Sequence, residues 1–328
     1  MTERYWLTKE KQLKGTGMAL LVNIGHDGWY KDDELAQELR RQMPEADIRT
    51  LDAPGDLADI TMLAVSALAA DLPAKLPNLA LVQKLGAGVE TIIAHPAIAP
   101  EVQVARLKPL EPAREIAQYC LAYVLHAQRN IAAHAESQTR AAWEPLAPKQ
   151  NHKTRVGVLG LGHIGSQTAL LMRDLGFDVL GWSRSAKEIP GVTCHHGSAT
   201  LKPMLGQCDY VCAILPSTAQ TRALINAESL AAIKPGATLI NAGRGDLVDE
   251  AALIAALDRG TPGHAVLDVL CSEPLPASDP LWQHPKVTIT PHVSGWHLGD
   301  ALGDVTENFR RLGAKEPLLH LVDRQRGY

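Results

Sequence analysis

The sequence lacks a long hydrophobic run. No stretch of about 18 uninterrupted apolar residues is present, so the pattern predicts no membrane-spanning helix. The N-terminal segment MTERYWLTKEKQLKG carries charges where a secretory signal would be apolar. We therefore expect a cytoplasmic protein with no membrane partner.

The sequence also lacks blocks of like charge, and its formal net charge is only -4. Domains that bind nucleic acid or anionic membranes usually carry a basic patch or stripe. The even balance predicts no nucleic-acid partner and leaves small molecules as the expected ligands.

Cysteine is scarce and irregularly placed. The five cysteines are odd in number, and the pair Cys208 and Cys212 has no second ligand pair that would complete a zinc site. This pattern predicts neither a metal site nor a disulfide framework. We expect reduced, buried thiols at Cys120, Cys194, Cys208, Cys212 and Cys271.

Alternating strand and helix patterns are present instead. A chain of 328 residues with 46% hydrophobic content is long enough for about two domains. In the first part, the apolar runs MALLVNI, ITMLAVSAL and LALVQKLGAG alternate with the helical pattern KDDELAQELRRQM. This alternation predicts a parallel α/β sheet.

A long, largely apolar helix is predicted over 111–134, where no strand signal occurs, and it would suit a connector between domains. A second alternation follows a proline-broken loop. Its six predicted strands, TRVGVLG, DVLGWS, DYVCAIL, ATLINA, GHAVLDV and VTIT, fit a complete dinucleotide-binding fold. The segment 298–313 is predicted to be a helix that returns to the first domain.

The glycine loop GLGHIG lies between the apolar strand VGVL and the helix HIGSQTALLMRDL. Its glycines permit a tight turn and close approach of a pyrophosphate, whose charge a helix N-terminus stabilises. The alternative is a turn with a purely structural role. We predict cofactor binding by Gly160, Gly162, His163, Ile164 and Gly165.

The end of the next strand bears on which nucleotide binds. An NAD site usually places a carboxylate there, but the residues are Trp182 to Ser185, with no Asp or Glu. A guanidinium and neighbouring hydroxyls suit a 2'-phosphate. The sequence therefore favours NADP(H), with NAD(H) as the alternative, and predicts binding by Ser183, Arg184, Ser185 and Lys187. The competing interpretation makes Arg184 a solvated surface charge.

Three later segments each contribute one polar residue. Arg244 lies in NAGRG, Glu273 in the SEP triplet and His292 in TPHVSG. A cation, a carboxylate and an imidazole beside a nucleotide site are the minimum parts for reducing a carbonyl that has a negatively charged neighbour. Singly, they are equally compatible with a loop cap, a turn and a surface bend. As an ordered set they favour a dehydrogenase.

Longer segments carry a resemblance to a known family. They are KLGAGVE, WSRSAKEIPGV, LPSTAQT, NAGRGDLVDE, LDVLCSEPLP, PLWQHPKVTITPHV and VDRQRGY. Together they resemble the D-isomer-specific 2-hydroxyacid dehydrogenases, and most of all the glyoxylate/hydroxypyruvate reductase A subgroup.

The resemblance implies a fold class and an assembly. Two doubly wound parallel-sheet domains are expected, with a Rossmann nucleotide domain inserted in a flavodoxin-like substrate domain. The nucleotide domain would span 116–292, including the connector helix, and the discontinuous substrate domain would consist of 1–115 and 293–328. The family is typically dimeric, so a homodimer is expected.

The resemblance also implies catalytic roles. Arg244 would hold the substrate carboxylate and polarise the adjacent carbonyl, because a planar guanidinium can bind two oxygens. His292 would protonate the carbonyl oxygen as general acid. Glu273 would pair with the other ring nitrogen and favour the imidazolium. The implied activity is reduction of glyoxylate, hydroxypyruvate or a similar 2-oxo acid.

Further site residues are expected around this trio. Backbone N–H groups in the LGAG segment, from Ala87 to Val89, would form an anion cradle, unless the segment is only a strand-to-helix turn. Trp143 matches a tryptophan that in the subgroup is expected to reach the partner's active site, with ordinary packing as the alternative. The predicted substrate-binding residues are Leu85, Gly86, Ala87, Gly88, Val89 and Trp143. The remaining predicted cofactor-binding residues are Leu215, Pro216, Thr221, Ala242, Gly243 and Asp268, although Asp268 could equally support a turn.

The chain departs from the subgroup near the connector helix. Lys108, Pro109 and Glu111 occupy positions that the subgroup usually fills with acidic and glycine residues, and Trp296 lies close to the predicted acid. A different small 2-oxo acid therefore stays open as the substrate. Two other hypotheses are an NAD-dependent member that acts on another anion and a nucleotide-sensing regulatory protein. The intact trio argues against the regulatory protein.

Overall fold

The computed structural model of the chain describes residues 17–325 and residue 327. They form two compact units, one made of the described residues up to Glu111 and from Leu298 onward, the other of Pro112–His297. The N-terminal segment used above to judge secretion lies outside the described residues. Among the described residues, no helix combines the length and the apolar character needed to cross a membrane.

The first unit is built on a parallel sheet. Among its described residues, the strands are β1 (Ala19–Asn23), β2 (Asp47–Thr50), β3 (Ile60–Val65), β4 (Leu81–Lys84) and β5 (Gln103–Ala105). Their order is β2-β1-β3-β4-β5, and all pairs are parallel. With helices numbered in chain order, this unit contains α1 (Asp32–Gln42), α2 (Glu90–Ile93) and α9 (Leu302–Ala314).

The central strands of this sheet are covered on both faces. Every residue of β1 is buried, as expected for a parallel strand with helices on either side. Leu20 and Val22 face one apolar cluster, which includes Phe309 of α9, whereas Leu21 and Leu63 face another. The predicted return of the last helix to the first sheet is therefore observed, but α9 begins at Leu302 after a short 3-10 turn.

The second unit is built on a larger parallel sheet. In its described part, the strands are β6 (Arg155–Leu159), β7 (Asp178–Ser183), β8 (Thr193–His196), β9 (Tyr210–Ala213), β10 (Thr238–Asn241), β11 (His264–Leu267) and β12 (Val287–Ile289). Their order is β12-β11-β10-β9-β6-β7-β8. The sequence predicted six of these strands. It missed the edge strand β8, whose residues TCHH are only partly buried and show no apolar run.

The helices of this second region are α3 (Leu110–Gln128), α4 (Ile131–Thr139), α5 (His163–Asp174), α6 (Ser198–Leu205), α7 (Ala227–Ala232) and α8 (Glu250–Asp258). The prediction of one continuous helix over 111–134 is wrong, because this region forms two helices, α3 and α4. Asn130 adopts a left-handed conformation with φ 55°, which asparagine tolerates better than most residues and which ends the helical repeat. Short 3-10 turns occur at Leu57–Asp59, Pro73–Lys75, Asn151–Lys153, Gly245–Leu247, Pro280–Gln283 and Gly299–Ala301.

Both sheets are doubly wound, so the predicted fold class is confirmed. In each one the strand order reverses beside the first strand, between β1 and β3 in the smaller sheet and between β6 and β9 in the larger one. Open parallel sheets bind ligands at such a switch point, beyond the carboxyl ends of the strands. The segments that follow β6, β9, β10 and β11 therefore lie at one edge of the second unit.

Candidate active site

The glycine loop after β6 is shaped by steric limits at two of its glycines. Gly160 has φ 100°, and a Cβ there would overlap the carbonyl of Ile214. A Cβ at Gly165 would overlap the carbonyl oxygen of Gly160, so the first turn of α5 packs directly against the loop. Around Gly162, in contrast, a Cβ would meet no atom within 4 Å.

These three environments match the three requirements of a pyrophosphate site. One glycine makes the turn, one leaves open space for the ligand, and one allows close packing of helix and strand. Gly162 is also the N-cap of the twelve-residue helix α5, whose first N–H groups favour an anion. His163 is exposed and Ile164 is partly buried at this helix start. The loop fits a dinucleotide.

The predicted 2'-phosphate segment follows β7. The hydroxyl of Ser183 is buried and donates to the carbonyl of Ser185 at 2.7 Å, so it fixes the shape of the loop. The indole of Trp182 donates to the carbonyl of Gly197 at 2.9 Å and anchors the strand beneath. The side chains of Arg184, Ser185 and Lys187 are exposed.

The loops after β9 and β10 come together behind the glycine loop. A Cβ at Gly243 would lie 2.9 Å from the carbonyl oxygen of Leu215, so these two segments touch backbone to backbone. The hydroxyl of Thr221 donates to the carbonyl of Pro216 at 2.6 Å and closes the 216–221 loop. Ala242 is buried. The predicted cofactor residues Leu215, Pro216, Thr221, Ala242 and Gly243 thus belong to one cluster.

Arg244 is positioned by a residue that the sequence did not single out. The buried side chain of Asn241 accepts from the N–H of Gly243 at 3.2 Å and donates to the carbonyl of Arg244 at 2.9 Å. These two bonds bracket the turn after β10. The guanidinium of Arg244 donates to the carbonyl of Gly243 at 2.7 Å. One terminal nitrogen of the guanidinium is therefore held against the turn.

Glu273 and His292 form a direct pair. The carboxylate Oε2 of Glu273 lies 2.7 Å from Nδ1 of His292, while Oε1 accepts from the N–H of Leu270 at 2.9 Å. Burial alone raises the pKa of Glu273. The hydrogen bonds from His292 and Leu270 and the charges of His292 and Arg244 together lower it by more, so the pKa lies below its ordinary value. The carboxylate is ionised at neutral pH, and Nδ1–H donates to it. Nε2 takes no part in this pair.

The backbone at His292 is held by Asp268. His292 has φ 55°, and its N–H donates to the carbonyl of Asp268 at 2.9 Å. The carboxylate of Asp268 is buried and accepts from the hydroxyl of Thr290 and the N–H groups of Val293 and Ser294 at 2.6 to 3.0 Å. Asp268 therefore fastens the segment that carries the histidine.

A tyrosine extends this network. The hydroxyls of Tyr119 and Thr290 lie 2.7 Å apart. Because Thr290 gives its proton to Asp268, Tyr119 is the donor in this pair. Burial raises the pKa of Tyr119, so its hydroxyl keeps its proton. Sequence reasoning missed Tyr119, Thr290 and Asn241, since their spacing from the trio carries no motif.

The LGAG segment lies in the other unit, after β4. Among the described residues, no partner accepts from the N–H groups of Ala87, Gly88 and Val89. Leu85, which begins this segment, and Val89, which follows it, are buried, while Gly86 and Gly88 are partly exposed. The local geometry is compatible with the predicted anion cradle.

Residues at which the chain departs from the subgroup donate backbone hydrogen bonds to nearby carboxylates. The N–H of Lys108 donates to Asp304 at 3.0 Å, and the N–H of Glu111 donates to Asp300 at 3.3 Å. In the other unit, Glu115 accepts from the N–H of Trp296 at 2.9 Å. The Trp296 side chain is 37% exposed.

The cysteines are free, as expected, but not all are buried. Cys120, Cys208 and Cys212 are buried, Cys194 is partly buried and Cys271 is exposed. Burial raises the pKa of Cys208 to about 12, which keeps it protonated and unreactive. Within the part of the chain that the structure describes, no group of three His, Cys, Asp or Glu side chains is placed to hold a metal.

The chain is similar to known proteins over most of its length. Residues 121–294 match the family described as "D-isomer specific 2-hydroxyacid dehydrogenase, NAD binding domain". A glyoxylate/hydroxypyruvate reductase A from Salmonella heidelberg is 36% identical over 250 residues, which cover 74% of this chain and 80% of that protein.

Two solved structures are similar over nearly the whole chain. A D-isomer specific 2-hydroxyacid dehydrogenase from Xanthobacter autotrophicus Py2, in complex with NADPH and MES, is 38% identical with a TM-score of 0.89, covering 95% of this chain and 99% of that one. An NADPH-dependent glyoxylate/hydroxypyruvate reductase from Sinorhizobium meliloti, in complex with NADP and sulfate, is 30% identical with a TM-score of 0.87, covering 95% and 100%.

Proposed function

Since the chain belongs to the D-isomer specific 2-hydroxyacid dehydrogenases, we propose that it is an NADPH-dependent reductase of a small 2-oxo acid of the glyoxylate or hydroxypyruvate type. The observation that carries this proposal is the 2.7 Å pair of Glu273 and His292 in the unit that also holds the glycine loop. That pair supplies an oriented proton donor in a nucleotide-binding unit.

The residues divide the chemistry among them. NADPH, when bound, supplies the hydride that reduces the carbonyl carbon. Arg244 binds the substrate carboxylate and polarises the carbonyl, because its planar fork can donate to two oxygens while staying charged. His292 gives the proton on Nε2 to the carbonyl oxygen. Glu273 keeps Nδ1 protonated and stabilises the imidazolium until that proton has moved.

The glycine loop and the segment after β7 support the choice of cofactor. Gly160, Gly162 and Gly165 fit a pyrophosphate, and the unit Pro112–His297 is proposed as the cofactor-binding domain. Arg184 and Lys187 are exposed cations where an NAD site would carry a carboxylate. The remaining unit, with Leu85 to Val89, is proposed to bind substrate.

Trp143 supports a homodimer. Its side chain is 98% exposed, and Ile131 and Leu146 nearby in sequence are 49% and 43% exposed. Large apolar side chains exposed together are typical of an interaction surface. We therefore propose that this segment is covered by a second copy of the chain.

The proposed reaction is tested by following NADPH absorbance. Addition of glyoxylate or hydroxypyruvate to the purified protein is expected to oxidise NADPH, and NADH is expected to serve less well. A panel of 2-oxo acids, each assayed with both cofactors, ranks the substrates. Absence of turnover with every acid and both cofactors would refute the proposed function.

Arg184→Ala is expected to weaken NADPH much more than NADH. Loss of a charge-assisted contact to the 2'-phosphate costs about 1.5–3 kcal/mol, or roughly 10–100-fold in KM for NADPH. KM for NADH should change by less than about threefold, since it has no 2'-phosphate. Arg41→Ala, which removes an exposed arginine elsewhere, is the control. Equal losses for both cofactors would contradict 2'-phosphate recognition by Arg184.

Glu273→Gln is expected to lower kcat/KM for glyoxylate by about 10–100-fold, the effect of losing one charge-assisted hydrogen bond. The ionised Glu273 accepts from Nδ1 of His292 at 2.7 Å and orients the ring, whereas an amide is neutral and can also donate. The measurement is kcat/KM for glyoxylate at neutral pH. A variant with the wild-type value would show that Glu273 does not position the proposed acid.

A further inference from the structure

His292 has a backbone conformation that residues with a side chain rarely adopt. Its φ is 55°, in the left-handed region, where the Cβ crowds the following carbonyl oxygen. The N–H of His292 is shared between the carbonyls of Asp268 and Thr290, at 2.9 and 3.0 Å. The position of the imidazole therefore depends on the contacts that hold this short segment in place.

The buried carboxylate of Asp268 holds the residues that follow His292. Its Oδ1 accepts from the N–H of Val293 at 2.9 Å, and its Oδ2 accepts from the N–H of Ser294 at 3.0 Å. A carboxylate is planar, so a rotation of that plane would disturb both bonds together. The orientation of Asp268 is therefore part of what fixes the segment 292–294.

Two hydroxyls set that orientation. The hydroxyl of Thr290 donates to Oδ1 of Asp268 at 2.6 Å. The hydroxyl of Tyr119 lies 2.7 Å from that of Thr290, and it donates because Thr290 has only one proton to give. A hydroxyl that receives a hydrogen bond donates a stronger one, so Tyr119 strengthens the contact between Thr290 and Asp268.

Both hydroxyls come from well-supported backbone. Tyr119 lies midway along the nineteen-residue helix α3, where the next residue, Cys120, is buried in the core that also contains Val158 of β6. The N–H of Thr290 donates to the carbonyl of Leu267 at 3.0 Å, which continues the pairing of β12 with β11. The helix and the sheet thus hold the Thr290 hydroxyl between them.

We propose that Tyr119 is a positioning residue of the reductase, which acts through Thr290 and Asp268 to keep His292 where its proton reaches the substrate carbonyl. The proposal rests on the proposed function, because it concerns the acid of that reaction. Tyr119 gives up no proton in this role, since burial raises its pKa. A displacement of about 1 Å can cost about 100-fold in rate, so a small loosening is measurable.

Tyr119→Phe removes only the hydroxyl. We expect kcat for glyoxylate to fall by about 3–10-fold, the effect of one neutral hydrogen bond, while KM for glyoxylate and the dissociation constant of NADPH stay within about twofold. Tyr123→Phe is the matched control, because it removes a hydroxyl one turn later on α3 from a ring 4.9 Å away, and it should keep the wild-type kcat. A wild-type kcat in Tyr119→Phe, or the same loss in Tyr123→Phe, would overturn the proposal.

A double variant tests whether Tyr119 acts through Thr290. Thr290→Val removes the hydroxyl that bonds to Asp268 and should lower kcat by about 10–100-fold, whereas Thr290→Ser keeps the hydroxyl and should stay within about threefold of wild type. If Tyr119 acts only through Thr290, adding Tyr119→Phe to Thr290→Val causes no further loss. Losses that multiply in the double variant would mean that Tyr119 acts by another route, contrary to the proposal.

A spectroscopic measurement separates this proposal from the proposed function. In protein with isotope-labelled histidine, the proton on Nδ1 of His292 gives a magnetic resonance signal that depends on its 2.7 Å contact with Glu273. His292→Gln assigns the signal. We expect it to shift or broaden in Tyr119→Phe and Thr290→Val and to stay in place in Tyr123→Phe.

This measurement needs neither substrate nor cofactor. If every 2-oxo acid fails to oxidise NADPH, the reductase proposal fails, whereas the signal still reports on the position of His292. Thermal melting shows that each variant is folded, and Tyr119→Phe alone decides the matter if Thr290→Val does not fold. A signal unchanged in the folded variants would overturn the positioning role of Tyr119.

Discussion

His292→Gln is expected to lower kcat for glyoxylate reduction by about 10²–10⁴-fold, the usual contribution of a general acid. Glutamine keeps a polar side chain of similar reach but cannot release a proton in this pH range. Because Nδ1 of His292 is held by Glu273 at 2.7 Å, Nε2 is the nitrogen that would deliver the proton in the proposed role. The loss should therefore appear in the chemical step.

The measurement is kcat together with the dissociation constant of NADPH, which should stay within about threefold of the wild-type value. His152→Gln is the control, since His152 is exposed in a 3-10 turn far along the sequence from the trio. A variant that turns over at a near-normal rate would remove His292 from the role of acid.

Arg244→Lys is expected to lower kcat/KM for glyoxylate by about 10²–10³-fold, comparable to the loss of a preorganised donor at a developing oxyanion. Lysine keeps the positive charge but loses the planar fork, so it cannot bind the carboxylate and polarise the carbonyl together. The guanidinium is anchored to the carbonyl of Gly243, and Asn241 holds the backbone carbonyl of Arg244. A lysine ammonium has no equivalent of this geometry.

Steady-state kinetics with glyoxylate test this expectation, with both KM and kcat expected to suffer. Arg259→Lys changes an exposed arginine at the end of α8 in the same way and should leave both constants unchanged. If Arg244→Lys kept full activity, charge alone would suffice, and the proposed two-oxygen contact of Arg244 would be wrong.

The sequence could predict those parts of the site that depend on neighbouring residues. Residues 160–165 follow a strand and precede a helix, so their arrangement depends on local sequence and could be predicted from it. Arg244, Glu273 and His292 could be predicted as an ordered set. The resemblance predicted that Glu273 pairs with His292, and the two side chains lie 2.7 Å apart.

Other parts depend on long-range packing. Tyr119 and Thr290 are 171 residues apart, and only the folded sheet brings their hydroxyls together. Asp268 was expected near the cofactor, and its carboxylate is seen to accept from Thr290 and from the backbone after His292. The break at Asn130 was missed because the apolar pattern of the connector runs straight through it.

In the loop after β7, the residues that hold its shape differ from those with exposed side chains. Its shape depends on Ser183 and Trp182, whose polar atoms donate to backbone carbonyls, whereas the side chains of Arg184, Ser185 and Lys187 are exposed. Exposed substitutions away from such anchors usually change stability by less than about 0.5 kcal/mol. If these three positions select the cofactor, as proposed, substitutions there are expected to change that choice while the fold stays intact. Gly165, which has no room for even one methyl group, offers no such freedom.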